Sequence, residues 1–105
     1  MARIPNRIQK IIAKYLLTLK DNGINIKQAF LFGSYAKGNA TDLSDIDIAL
    51  VSDEFVGVRF LDKNKIRKIT ISVSSDLEVL PFNSNSFNNN DPLVTEILTT
   101  GVRLV

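Results

Sequence analysis

Gly33-Ser34-Tyr35-Ala36-Lys37-Gly38, followed by Ser44-Asp45-Ile46-Asp47-Ile48-Ala49-Leu50-Val51, decides how this chain folds. Ile26 to Phe32, just ahead of Gly33, is short and largely apolar and reads as a buried strand ending in a small-residue turn. A glycine at that turn lets backbone approach a ligand closely. The N–H groups at a helix start point outward and favour anions such as phosphates. The Ser34 hydroxyl can donate to a phosphate oxygen. In the second stretch Ile46, Ile48 and Leu50 alternate with Asp45, Asp47 and Ala49, the period of a strand from Asp45 to Val51. Two residues apart on a strand, Asp45 and Asp47 leave the same face with Cα atoms roughly 6–7 Å apart. Adjacent carboxylates repel. A divalent cation relieves that repulsion and can bridge to nucleotide phosphates. A lone Gly-Ser is a common turn, and a lone Asp-x-Asp is often the solvated face of an edge strand. The two pairs closing one strand and opening the next make a more specific combination.

Outward from this centre, Pro5 suits a first helical turn. Ile8, Ile11, Ile12, Tyr15, Leu16 and Leu19 make one helical face, and Asn22-Gly23 stops it. Tyr35 to Thr41 allows a helical turn or two before Gly38. Residues 52–59 read as a loop. Phe60 to about Ile71 reads as a helix anchored by Phe60, Leu61, Ile66 and Ile69. Asp76 to Phe82 is a third strand, and Asn83 to Asn90 an asparagine-rich loop pinned by Phe87. Asp91 then caps a helix with Pro92 as its first residue and Leu93, Val94, Ile97 and Leu98 as its apolar face. Gly101 ends it, and Val102 to Val105 can add a short fourth strand. The order α-β-α-β-α-β-α-β predicts an α+β fold, a mixed four-stranded sheet with helices packed on it. Residues 1–105 are expected to form one domain, since no linker divides them.

Composition narrows the chemistry. Among 105 residues there is no cysteine and no histidine. Disulfides, thiolate catalysis, cysteine-ligated zinc, histidine bases and histidine metal sites are excluded. Oxygen ligands remain, and they suit hard cations such as Mg²⁺ or Mn²⁺. A net charge of +2 is compatible with an anionic ligand. It is not the basic excess of a nucleic-acid-binding module, and no basic-aromatic stripe appears. No apolar run is long enough for a membrane span. Arg3, Arg7, Lys10 and Lys14 interrupt what a secretory signal would keep apolar, so a cytoplasmic location is expected. Exposed strand edges and apolar residues such as Phe55, Val56 and Val58 leave room for self-association.

The Gly33–Gly38 and Ser44–Val51 stretches resemble the signature of the DNA polymerase β-like nucleotidyltransferases, most closely the minimal nucleotidyltransferase (MNT) group. Asp76-Leu77-Glu78-Val79-Leu80-Pro81-Phe82 and Asn90-Asp91-Pro92-Leu93 through Gly101 extend the likeness over most of the chain. The resemblance implies the polymerase β-like palm fold and metal-dependent transfer of a nucleoside monophosphate from an NTP to a hydroxyl. It implies that Gly33 and Ser34, with Lys37 as a further candidate, hold the triphosphate of ATP or another NTP. Asp45 and Asp47 would hold Mg²⁺ (or Mn²⁺). A third carboxylate, Glu78 or Asp76, would complete the site and could act as base, with Glu78 preferred for its Leu80-Pro81-Phe82 setting. The group is often paired with HEPN-domain proteins in toxin–antitoxin modules, so a HEPN-type partner and an AMP-adding antitoxin are expected. The other reading is a non-catalytic module that binds nucleotide, or neutralises a toxin by contact.

Overall fold

The computed structural model describes residues 4–105. Arg3, used in the reading of the N-terminus, lies outside them. Helix α1 runs Asn6–Asp21, strand β1 Gln28–Phe32, helix α2 Ser34–Lys37 and strand β2 Ile46–Val51. Helix α3 follows at Arg59–Val73, strand β3 at Leu77–Phe82, helix α4 at Pro92–Thr100 and strand β4 at Val102–Arg103. The sheet order is β3-β2-β1-β4. β1 pairs antiparallel with both β2 and β4, whereas β2 and β3 are parallel, joined through α3. The expected mixed sheet is therefore present, and the expected eight elements occur in the expected order.

Strand alternation divides the buried residues between two faces. One face carries Ala29, Leu31, Ile46, Ile48, Leu50, Leu77 and Val79 under α1 and α3, with Ile8, Ile12, Tyr15 and Leu19 from α1. Tyr15 is buried among them, and desolvation pushes its hydroxyl up to about 12 against the opposing pull of a 2.7 Å hydrogen bond with Thr70. The opposite face carries Phe30, Ala49, Val51 and Phe82 under Val94 and Ile97 of α4. Phe87 completes that cover, stacking on Phe30 at 5.5 Å and meeting Phe82 edge-on at 5.1 Å. α4 is held at its start by Asp91, whose side chain accepts from the Leu93 N–H at 2.9 Å.

Three details differ from the sequence reading. Phe60 and Leu61 do not anchor α3; they are 71% and 53% exposed, and Ile66 is the buried contact. Asp62 is buried instead, its carboxylate accepting from the N–H groups of Val56 and Gly57 at 2.8 and 2.9 Å. It thereby ties the preceding loop to the first turn of α3. Phe55 is not an exposed residue but part of the core, 1% exposed, while Val56 and Val58 remain at the surface. Leu98 points away from the sheet, since α4 is short and packs through Val94 and Ile97.

Candidate active site

β1, β2 and β3 bring their chemistry to one end of the sheet, on the face that α4 only partly covers. Asp47 lies opposite Phe32 of β1 on one side and Glu78 of β3 on the other. Asp47 and Glu78, directly paired in register, thus share a face. Asp45 and Asp76 lie just ahead of their strands, one pleat further out; the Asp76 carbonyl accepts from the Ile46 N–H at 2.8 Å.

Gly33 sits against this group. Its φ of 72° and ψ of −148° belong to a region almost reserved for glycine. A Cβ built there would overlap the Asp47 carboxylate oxygen Oδ2. The turn therefore requires glycine twice, for conformation and for the space Asp47 occupies. Ser34 opens α2, where the first N–H groups of a helix have no intrahelical acceptor. The Gly33 carbonyl accepts from Ala36 and Lys37, and α2 closes on Gly38 in the left-handed region. Tyr35 packs into the core beneath. In the connecting loop the Ser44 hydroxyl accepts from the Thr41 N–H at 2.9 Å and fixes the entry to β2.

The electrostatics centre on Asp47. Its carboxyl is raised above the ordinary range, first by burial, then by the charges of Asp45 and Glu78. Asp47 is half-buried, while Asp45, Asp76 and Glu78 are exposed. Glu78 leans away to the Lys63 ammonium of α3 at 3.5 Å. Lys37 pairs at the surface with Glu96 of α4 at 3.3 Å. Among the described residues no three carboxylates form a ready-made metal cage. The structure thus joins Gly33, Asp45, Asp47 and Glu78 at one end of the sheet, with Asp76 one pleat out beside Asp45. The side-chain donors at this end are all oxygen and repel one another, which fits a hard divalent cation. Lys63 and Glu96, which hold two of the candidate side chains, carry no local sequence signal; only the folded register reveals them.

The family model described as "Polymerase beta, Nucleotidyltransferase" matches residues 7–105. The chain belongs to that family. Among individual relatives, it is 45% identical over 49 residues to the "Putative protein adenylyltransferase MJ1379" of Methanocaldococcus jannaschii. That match covers 47% of this chain and 48% of the relative, so the chain matches about half the relative's length. A crystal structure of a "putative nucleotidyltransferase" from Sulfolobus solfataricus superimposes with a TM-score of 0.66 at 18% identity, which shows the shared fold. It covers 92% of this chain and 78% of that one. A chain in the crystal structure of a toxin-antitoxin with AMP-PNP aligns with a TM-score of 0.62 at 26% identity. There the coverage is 89% and 71%. A chain in the crystal structure of a mutant of the toxin-antitoxin MntA-HpeT gives 0.61 at 26% identity, covering 90% and 71%. The likeness to the minimal nucleotidyltransferase group is borne out by these relatives together with the family match.

Proposed function

We propose that this chain transfers AMP from ATP to a hydroxyl of a protein partner, and that it does so as the antitoxin of a toxin–antitoxin pair. The observation that carries the reading is the Gly33–Asp47 contact, with Asp45 and Glu78 on the same face. It couples a phosphate-approach turn directly to a carboxylate cluster. The relatives named as an adenylyltransferase and as toxin–antitoxin structures support the nucleotide and the partner. A HEPN-type protein is the partner proposed, and the cytoplasm the place.

In this mechanism the N–H groups at the start of α2 and the Ser34 hydroxyl bind the triphosphate. Lys37 is an auxiliary phosphate contact once it leaves Glu96. Asp45 and Asp47 would hold Mg²⁺ or Mn²⁺, which when bound would neutralise charge on the phosphates and on the facing carboxylates. Glu78 is the third carboxylate; Asp76 lies further out and is the reserve candidate. The acceptor oxygen attacks the α-phosphorus, the bond to the bridging oxygen of the β-phosphate breaks, and pyrophosphate leaves. The hydroxyl proton passes to Glu78. Such in-line transfer depends mainly on positioning and charge, so a chain without histidine can perform it.

Incubation with α-labelled ATP, MgCl₂ and the partner tests the reading. Wild type should label the partner, and the Asp45→Asn, Asp47→Asn double variant should not. Equal labelling by both would sink the proposal. One observation favours the contact-only alternative: Glu78 rests on Lys63 rather than closing on the aspartates. That alternative requires the double variant to neutralise the partner as well as wild type does.

A further inference from the structure

A groove of about 450 Å³ runs between α3 and the open edge of β3, and Glu78 lies on its wall. On the α3 side it is lined by Phe60, Lys63, Arg67 and Ile71; on the strand side by Leu77, Glu78 and Val79. Phe60 and Ile71 are 71% and 59% exposed, although both are large and apolar. Lys63 is engaged with Glu78, whereas Arg67 has no carboxylate within ion-pair distance among the described residues.

The strand side carries backbone groups as well. The Ile46 N–H donates to the Asp76 carbonyl and the Ser52 N–H to the Phe82 carbonyl. By parallel pairing, the even-numbered residues of β3 therefore turn toward β2. Leu77 and Val79 present their N–H and C=O groups outward, along the groove. From Phe60 to Ile71, α3 rises about 16 Å, which equals about five residues of extended chain.

We infer that this groove receives an extended, acidic and aliphatic segment of the protein that accepts the nucleotide, carrying its hydroxyl to Glu78. The inference rests on the transfer reading given above and names where the acceptor docks. Charge complementarity decides the occupant. The free Arg67 calls for a carboxylate, Phe60 and Ile71 call for apolar side chains, and the edge of β3 calls for a strand. A second copy of this chain brings the same cationic helix, and like charges facing each other oppose docking. Pro81, without an N–H, also shortens the edge open to self-pairing. A nucleic acid draws its affinity from a row of phosphate contacts; of the cations on α3 only Lys63 and Arg67 line the groove, Lys63 is engaged with Glu78, and their neighbours Phe60 and Ile71 are apolar.

The test uses the whole chain and labelled peptides of about ten residues, alternating valine with aspartate around one tyrosine. A second peptide has lysine in place of aspartate. By fluorescence anisotropy, the acidic peptide is expected to bind at least about tenfold more tightly than the lysine peptide. Arg67→Glu and, separately, Ile71→Asn are each expected to weaken it by about tenfold, with circular dichroism confirming that both fold. Failure of the acidic peptide to bind up to about 1 mM, or indifference to Arg67→Glu, overturns the inference. So does displacement of the peptide by oligouridine RNA, or a dimer in light scattering that Arg67→Glu dissolves. The Asp45→Asn, Asp47→Asn variant is measured alongside. Binding there with no labelling of partner by wild type would leave the groove standing and remove the transfer reading.

Discussion

Asp47 and Ile48 are neighbours on β2, yet they live on opposite faces of the sheet under opposite rules. The Ile48 face is closed by two long helices, and its central strand residues are fully buried. The Asp47 face is closed over only part of its length, by the shorter α4 and by Phe87. Where that cover ends, charged groups emerge, and they repel one another. The same strand thus stabilises the fold on one side and keeps a strained electrostatic cluster on the other. The cost of the charged end is therefore borne by packed residues on both faces, most of them on the Ile48 side.

A pair of substitutions on β2 tests this division directly. Asp47→Asn should reduce AMP transfer by about a thousandfold, about 4 kcal/mol, in a labelled-ATP assay, while leaving the fold at least as stable. Ile48→Ala should do the reverse, costing about 2–5 kcal/mol in urea unfolding through the cavity it leaves. If Asp47→Asn unfolded the chain, the two faces would not be separable.

Gly33→Ala comes next and strikes both properties at once. Forcing a side chain into that backbone region costs about 1–3 kcal/mol. The added methyl also displaces Asp47, so transfer should fall even where the chain remains folded. Thermal melts beside the labelling assay separate the two losses. A smaller effect belongs to the α4 side: Asp91→Ala should cost about 1 kcal/mol in chemical denaturation, through loss of the bond to the Leu93 N–H. Transfer should persist, because α4 only borders the charged end.

How much of this the sequence revealed follows the same division. Regular alternation in Asp45–Val51 and the Asp91-Pro92 start of α4 are local signals, and they gave the sheet and the last helix. α3 was less legible, because its apolar residues do not form one stripe. Phe60 and Leu61 look like anchors but face outward, while Asp62, which looks solvated, is buried under two backbone N–H groups. That position is decided by the loop ahead of it, which no helical period encodes. Phe55 likewise enters the core from a loop in which Val56 and Val58 stay out. In the candidate site, spacing alone placed Asp45 and Asp47 on one face. It did not choose between Asp76 and Glu78, which share a face. The strand register, a tertiary fact, sets Glu78 beside Asp47, and a residue of another element, Lys63, sets where Glu78 points.

The smallest effect concerns pH, and it isolates the charged end. Asp47 has its carboxyl raised in the folded chain, chiefly by burial and then by Asp45 and Glu78. Between its unfolded value near 3.8 and its higher folded value, the folded state binds more protons. Stability contributed by Asp47 therefore falls as pH rises through that window, and the penalty is fully present above it. Asp53 works in the other direction: its carboxyl is lowered, first by the hydrogen bond to Lys27, then by that to Ser84, so its contribution is lost on acidification. A wild-type melt alone mixes the two. The difference between wild type and Asp47→Asn removes Asp53, which both chains share. That difference should favour the variant at pH 7 and close below about pH 3.8. It should be small, because water screens a half-buried carboxylate. Adding Mg²⁺ at pH 7 should close the same gap by stabilising wild type alone. A gap that ignores both acid and Mg²⁺ would mean that Asp47 is packed as a structural residue, and the contrast with Ile48 would lose its electrostatic half.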